Sequence, residues 1–400
     1  MISEAERGQA TRFDEVVQAA PEEVYRFFTA PAAMRVWLCD TAEADPRVGG
    51  RLYLWWNRGY YSAGTYTELV PGERVAFTWR GPDDPAPSQV RVELAPDAEG
   101  STRISIAHEG EASGEWGGWQ DALENLKSAV ETGIDLRLAR RPMFGIMGAD
   151  VVTAENAEQF GVPEPTGLRL SMLVDTMAAR KAGIREGDTV IALGDHPVSD
   201  FYTFTNAMQA HRAGDRVPVT LYRDGEKQVI TVELGAREMP KLPATTADLS
   251  GPLREACDRI NRELAEAMEG VTEEEASYRP GPREWGVREV IGHLTSLEHD
   301  TQAYIASLIE DDQAPVNFHS NVFERVSAIT QVQGTVPELV EQFRRALEAS
   351  ALMVESLPEE TMARKAGIMN LAVILGGFED HARGHIEEMK ALVAKARGEA

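Results

Sequence analysis

The chain has 400 residues, which is more than one hydrophobic core usually serves, so its length predicts two to four domains. Its formal net charge of −25 would repel nucleic acid and anionic membranes, and it argues against both as partners. Cys39 and Cys257 fall in different predicted domains, and the sequence shows neither an apolar targeting segment nor a run of ~18 apolar residues; we therefore expect a cytoplasmic protein.

The first module is expected over residues 1–140. Residues 11–18 alternate like a strand, and residues 20–28 begin a short helix with Pro21 in its first turn. Further alternating stretches, separated by Gly, Pro and Asp turns, predict an antiparallel sheet over 49–56, 62–70, 74–79, 88–94 and 102–108. A long helix over 116–132 closes the module.

This order of elements, with Val-Pro-Gly-Glu-Arg-Val-Ala-Phe-Thr-Trp at 70–79 and Trp119, Leu123 and Leu126 on the last helix, resembles the START-like/SRPBCC superfamily. Its Hsp90-ATPase-activator homologues are the most similar branch. The resemblance implies a helix-grip fold, often with a cavity for an apolar small molecule. Candidate lining residues are aromatic: Trp37, Tyr53, Trp55, Tyr66, Phe77, Trp79 and Trp119. The alternative is that these side chains simply pack the core.

The second module is expected over residues 141–237. A strand over 167–174 is followed by a short helix that ends at Gly183, then by a Gly-Asp turn and a buried strand. Residues 201–211 form an amphipathic helix, and 214–234 form a hairpin over Asp224-Gly225.

Ala-Gly-Ile-x-x-Gly-Asp-x-Val-Ile at 182–191, with Tyr-Arg-Asp-Gly at 222–225, resembles a PDZ domain of the bacterial protease-associated kind. The resemblance implies a β-sandwich or barrel with two helices, in which a peptide adds as an extra strand and its C-terminal carboxylate meets a loop. The corresponding residues are Phe144, Gly145 and Ile146 in the loop, with Ala207 and His211 on the helix. Use of the domain only as a packing spacer is the alternative. The sequence has no Gly-x-Ser-x-Gly, so proteolysis does not transfer.

A proline-bearing linker is expected over 238–246, followed by an all-α four-helix bundle over 247–400. His381 and His385 are four residues apart, so on a helix they share one face. His293 takes a core position on another helix. Buried imidazoles need partners, and three that converge suit a divalent metal with an open coordination position. The alternative is that they are core histidines bonded to carboxylates such as Glu298; Glu298 and Asp380 could also orient metal-bound rings.

Tyr278-Arg-Pro, Trp285-Gly-Val and His293-Leu, followed much later by His-x-x-x-His, resemble the DinB/YfiT-like bundles. That resemblance implies a Zn²⁺ or Ni²⁺ site built from His293, His381 and His385, and some members are thiol-dependent transferases. Gly286 stands where the helix usually opens with Ser or Thr, which weakens a cap.

Two functions follow from these modules. The first is a binding or regulatory protein that holds an apolar molecule or protein client, a peptide tail and a metal ion in separate domains. The second is a metal-dependent thiol transferase or hydrolase that acts through the three histidines. An arrangement in which a neighbouring module occupies the PDZ groove stays open.

Overall fold

The computed structural model describes residues 11–57, 59–110, 118–281, 284–311, 322–332 and 334–399. The chain forms two compact units. One consists of Met1–Asp135 together with Pro240–Ala400, and the other is Leu136–Met239. Among the described residues, no helix combines the length and apolar character that a bilayer span requires.

The first domain contains a seven-stranded antiparallel sheet with the strand order β1-β7-β6-β5-β4-β3-β2. The strands are β1 (Thr11–Val17), β2 (Thr41–Ala44), β3 (Arg51–Trp55), β4 (Tyr61–Val70), β5 (Arg74–Trp79), β6 (Ser88–Pro96) and β7 (Thr102–Glu109). The helices are α1 (Pro21–Arg26), α2 (Pro31–Arg35) and α3 (Gly118–Thr132). Pro21 and Pro31 open the two short helices, where their missing N–H costs nothing. Trp116, predicted to lie on the last helix, falls outside the described residues.

The core of this domain lies between the sheet and α3. Five of the predicted lining residues are buried in it, namely Trp37, Tyr66, Phe77, Trp79 and Trp119. Their polar atoms are bonded internally: Trp37 Nε1 donates to the Phe27 carbonyl over 2.9 Å, and Tyr66 Oη donates to the Phe28 carbonyl over 3.0 Å. These aromatic side chains therefore pack the domain interior.

Tyr53 and Trp55 differ from the expectation that they share this interior. Leu52 and Leu54 are the buried residues of β3, and Tyr53 and Trp55 alternate with them. Since successive strand residues point to opposite faces, the two aromatic side chains lie on the other side of the sheet. There the Tyr53 ring packs 5.9 Å from the ring of Tyr61.

The second unit contains a sheet in the order β13-β12-β10-β9-β8, with β11 paired to β10. Its strands are β8 (Ile146–Val151), β9 (Leu168–Leu173), β10 (Thr189–Leu193), β11 (His196–Pro197), β12 (Arg216–Arg223) and β13 (Glu226–Glu233). Its helices are α4 (Leu136–Ala139), α5 (Ala178–Lys181) and α6 (Phe201–Gln209). Asp200 caps α6 by accepting from the Thr203 N–H over 2.7 Å.

A buried ion pair joins the two sequence motifs of this unit. Arg223 donates through Nε and Nη2 to the two carboxylate oxygens of Asp188, at 2.7 and 2.6 Å. Asp188 is 2% exposed. The Asp of the Gly-Asp turn and the Arg of Tyr-Arg-Asp-Gly therefore fix each other.

The described part of residues 245–397 consists mainly of helices. The helices are α7 (Thr246–Ala267), α8 (Glu273–Ala276), α9 (Val287–Glu310), α10 (Val322–Val332), α11 (Val336–Glu355), α12 (Glu359–Met362) and α13 (Lys365–Arg397). The four long ones, α7, α9, α11 and α13, enclose a single apolar core. Capping boxes at Thr245, Thr272 and Thr335 start three of the helices, as their Thr-x-x-acid pattern dictates.

Candidate metal centre and peptide groove

Helices α9 and α13 place the three predicted histidines. His293 lies in the second turn of α9, where apolar neighbours Val290 and Leu294 are buried in the bundle. His381 and His385 lie one turn apart on α13, next to the buried residues Ala382 and Ile386. The apolar periodicity of both helices therefore turns these imidazoles toward each other.

The three rings form one cluster. One ligand nitrogen from each of His293, His381 and His385 can be chosen so that all three lie within 4.8 Å of one another. The ring centroids are 5.6 Å apart for His293 and His381, 5.0 Å for His293 and His385, and 4.6 Å for His381 and His385. Three imidazoles from two helices are a donor set suited to a first-row divalent metal.

One nitrogen of His381 is buried without a hydrogen-bond partner among the described residues. This nitrogen is Nε2. Burial, and then the neighbouring His385, lower the pKa of His381 to about 4. The ring is therefore neutral at physiological pH, so one of its two nitrogens keeps a lone pair, which is the state a metal ligand requires.

A carboxylate orients His385. His385 Nδ1 lies 2.7 Å from Glu388 Oε2, and an ionised carboxylate only accepts, so Nδ1 carries a proton and Nε2 is the nitrogen left to bind a metal. Histidine ligands of metals commonly donate their other nitrogen in this way. The sequence predicts Glu298 or Asp380 for such a role, but Glu298 accepts from Ser350 Oγ over 2.7 Å. Glu388 was missed, although its spacing of three from His385 could have revealed it.

The start of α9 holds His293 beneath an aromatic ring. The Trp285 ring lies 5.0 Å from the His293 ring. Gly286 caps the helix without a side chain, but its N–H donates to Glu289 Oε2 over 2.9 Å. A Cβ at Gly286 would lie 2.4 Å from the Tyr278 carbonyl oxygen. The backbone at Tyr278 therefore leaves no room for a Ser or Thr side chain at this N-cap.

Strand β8 and helix α6 are the elements that would bound the predicted peptide groove. Strand β8 ends the sheet order, and an edge strand is where an extended peptide can pair. Gly145 precedes it with φ +100°, and a Cβ there would lie 2.4 Å from Met177 Cβ. Phe144 is buried and meets Phe204 of α6 edge-on at 5.2 Å, which ties the loop to that helix.

The two predicted helix residues of the groove have different surroundings. Ala207 is 1% exposed and belongs to the core of the second unit. His211 follows α6 and lies edge-on to His196 of β11, with 6.3 Å between the rings. Its Nδ1 is 3.8 Å from Asp215.

Comparison with known families divides the chain in the same way as its sequence motifs. Residues 18–131 match the model of Activator of Hsp90 ATPase homolog 1-like protein, residues 145–234 match that of the PDZ domain, and residues 256–389 match that of the DinB superfamily. The predicted order of three modules is confirmed.

Similar curated proteins align with only part of the chain. It is 27% identical over 117 residues to a probable periplasmic serine protease do/HhoA-like of Haemophilus influenzae, covering 29% of this chain and 25% of that protein. It is 34% identical over 96 residues to a probable periplasmic serine endoprotease DegP-like of Rhizobium meliloti, covering 23% of this chain and 18% of that one. The chain thus spans a quarter or less of the length of these two relatives.

Among solved structures, protein CV1439 from Chromobacterium violaceum is 35% identical. The alignment covers 30% of this chain and 96% of that chain. The TM-score is 0.28.

Proposed function

We propose that this protein is a cytoplasmic binding and regulatory protein whose helical bundle holds a divalent metal. The chain combines an Hsp90-ATPase-activator-homologue domain, a PDZ domain and a DinB-superfamily domain. The observation that carries the proposal is the convergence of three imidazole nitrogens within 4.8 Å. What supports a reducing compartment is that the sequence holds only two cysteines, Cys39 and Cys257, and that both are buried in different domains.

His293, His381 and His385 would hold the metal, which we assign to the Zn²⁺ or Ni²⁺ class because imidazole nitrogen suits both ions. The bound ion would supply Lewis-acid chemistry at its remaining coordination positions. Within the chain, Glu388 keeps the proton of His385 on Nδ1, and Trp285 covers one side of His293.

Elemental analysis of the purified full-length protein tests this proposal. We expect about one equivalent of metal per chain, and loss of that metal in His381→Ala and His293→Ala proteins that keep their helical circular dichroism. His299→Ala is the matched control, since His299 is exposed on the same helix as His293. A folded protein that neither retains nor takes up Zn²⁺ or Ni²⁺ would refute the metal site.

For the PDZ domain we propose that an extended peptide with a free C-terminal carboxylate pairs with β8. The edge position of β8 and the tight turn at Gly145 support it. A library of peptides with free C-termini, compared with the same peptides amidated, tests the assignment on the full chain. Binding that is unaffected by amidation, or retained by Gly145→Val, would contradict it.

For the first domain we propose an apolar small molecule or a protein client as partner. Its support is the family match over residues 18–131. Because Trp37, Phe77 and Trp79 are packed together, entry of a small molecule into the core would have to displace these rings. In a Trp55→Phe background, quenching of tryptophan fluorescence by a brominated fatty acid would support the small molecule, and a client captured through the outer face would leave that emission unchanged.

A metal-dependent thiol transferase or hydrolase is the second candidate. What favours it is that the cluster offers three ligands and that each of its histidines is partly exposed, which leaves room for a further ligand. Thiol-dependent turnover of an electrophilic substrate that disappears with His381→Ala would select this function over binding alone.

A further inference from the structure

The start of α13 contacts the first domain. Lys365 Nζ donates to the carbonyl of Val130 over 3.1 Å and approaches that of Glu131 at 3.5 Å. These carbonyls lie in the last turn of α3, where helix carbonyls lack intrahelical partners and a cation is favoured. A lysine of the bundle therefore caps the C-terminal carbonyls of α3, a helix of the first domain.

The backbones also meet at this junction. Gly133 has φ +77°, and a Cβ there would lie 2.7 Å from the Lys365 carbonyl oxygen and 3.2 Å from Leu242 Cδ1. Ala366 is 6% exposed and is buried in the core of the first domain rather than that of the bundle. The two cores thus share the first turn of α13.

A second contact is made by charged groups. Asp311 ends α9 in a left-handed conformation with φ 59°, and its carboxylate pairs with Arg26 of α1. Arg364, at the N-cap of α13, lies 3.7 Å from the same carboxylate and donates to the carbonyl of Ile309 over 3.2 Å. The acidic end of α9 is therefore held between an arginine of each domain.

We propose that residues 1–135 and 240–400 unfold as one cooperative unit, and that the first domain anchors the helix that carries His381 and His385. The PDZ domain is then an insertion in the sequence of this composite unit. His381 lies 16 residues after Lys365. At about 1.5 Å per residue, one continuous helix carries the junction to the histidine cluster over roughly 24 Å.

Separation of the two domains would be unfavourable for identifiable reasons. It would expose Ala366 and leave the α3 carbonyls without the Lys365 ammonium. Domains joined only by a linker would instead unfold independently, each with its own midpoint.

Two spectroscopic probes separate the domains in the full chain. Six of the seven tryptophans lie within residues 1–135, and the seventh is Trp285 in the bundle. In a Trp285→Phe background, fluorescence therefore reports the first domain alone, whereas circular dichroism at 222 nm is dominated by the long helices. We expect the two urea midpoints to coincide.

The decisive variants lie in the bundle core, far in sequence from the six tryptophans that remain in the Trp285→Phe background. Phe343 and Ile260 are both 0% exposed. Phe343→Ala, or the milder Ile260→Val if the first fails to fold, should lower the fluorescence and dichroism midpoints by the same amount. Leu221→Ala in the PDZ core is the matched control and should move neither. A fluorescence midpoint that stays in place while the dichroism midpoint falls would overturn the proposal.

Ala366→Asp tests the junction itself, and we expect it to split the coincident transition into two. A third arm rests on the proposed metal site: Zn²⁺ should raise both midpoints together, because a ligand of the native state stabilises the whole cooperative unit. If Zn²⁺ moves neither midpoint, the metal proposal fails and the Phe343 result stands. If Zn²⁺ moves only the dichroism midpoint, the cooperative unit is refuted and the metal site stands.

Discussion

The ring of Trp285 lies 5.0 Å from the ring of His293, with an angle of 40° between the two planes. This contact makes the only tryptophan of the bundle a reporter for the histidine cluster. Ni²⁺ bound at His293 would quench the emission of Trp285 and leave the other six tryptophans unaffected. We expect titration with Ni²⁺ to remove the contribution of Trp285 to the total emission and no more.

Two variants check that prediction. Trp285→Phe should abolish the quenching while the protein still takes up Ni²⁺, and His299→Ala should leave it unchanged. Equal quenching in the Trp285→Phe protein would place the ion elsewhere.

Glu298 predicts a pH-dependent stability. Burial raises the pKa of Glu298 to about 7, although the hydrogen bond from Ser350 by itself lowers this pKa. Because the folded pKa lies above the unfolded value of 4.5, the neutral carboxyl is favoured in the fold, and Glu298 costs stability that accumulates as pH rises from 4.5 to about 7. Glu298→Gln should therefore raise the free energy of unfolding at pH 8 by up to about 3 kcal/mol and change it little at pH 5.

Urea unfolding followed by circular dichroism at both pH values measures this difference. Glu310→Gln, an exposed carboxylate on the same helix, is the control and should have no pH-dependent effect. A gain of equal size at pH 5 and pH 8 would show that ionisation of Glu298 is not its cause.

The buried pair of Arg223 and Asp188 predicts a large effect of removing one partner. Arg223→Leu leaves Asp188 buried without its counter-ion, which should destabilise the PDZ domain by about 3–5 kcal/mol. Hydrogen exchange of the β10 and β12 amides measures the loss. Arg180→Leu breaks pairs with the more exposed Asp175 and Glu186 and should cost about 1 kcal/mol or less; equal losses would refute the distinction.

Gly145 and Gly161 form a matched pair of glycines with positive φ. Gly145 has φ +100° and no space for a Cβ beside Met177, whereas Gly161 has φ +66° and nothing within 4 Å. Gly161→Ala should cost only backbone strain, about 1–2 kcal/mol, and Gly145→Ala should cost about 1–3 kcal/mol more through overpacking. Amide exchange of β9 measures both, and similar values would show that the Met177 contact relaxes freely.

The histidine cluster could be predicted because helical periodicity acts on the residues themselves. His381 and His385 share a face at a spacing of four whatever surrounds them, and the apolar neighbours of His293 turn it to the core. The face on which the aromatic residues of β3 lie was harder to predict, since Tyr53 and Trp55 are large side chains that could be buried as readily as Leu52 and Leu54, which alternate with them. Alternation then shows that two faces exist but not which one is buried.

The junction of Lys365 with α3 gave no sequence signal at all. A lysine at a helix start is ordinary, and its partners lie 235 residues earlier. Such a contact depends on how two complete domains meet, which neither local propensity nor periodicity encodes.

The same separation has a consequence during protein synthesis. At roughly 5–20 residues per second, the ribosome adds Lys365 about 12–47 s after Val130. Throughout that interval, the residues of the first domain that pack against Ala366 in the complete protein have no bundle to contact. The intervening PDZ segment is synthesised during the same interval. A chaperone that shields this surface on the growing chain would therefore act before the last helix is made.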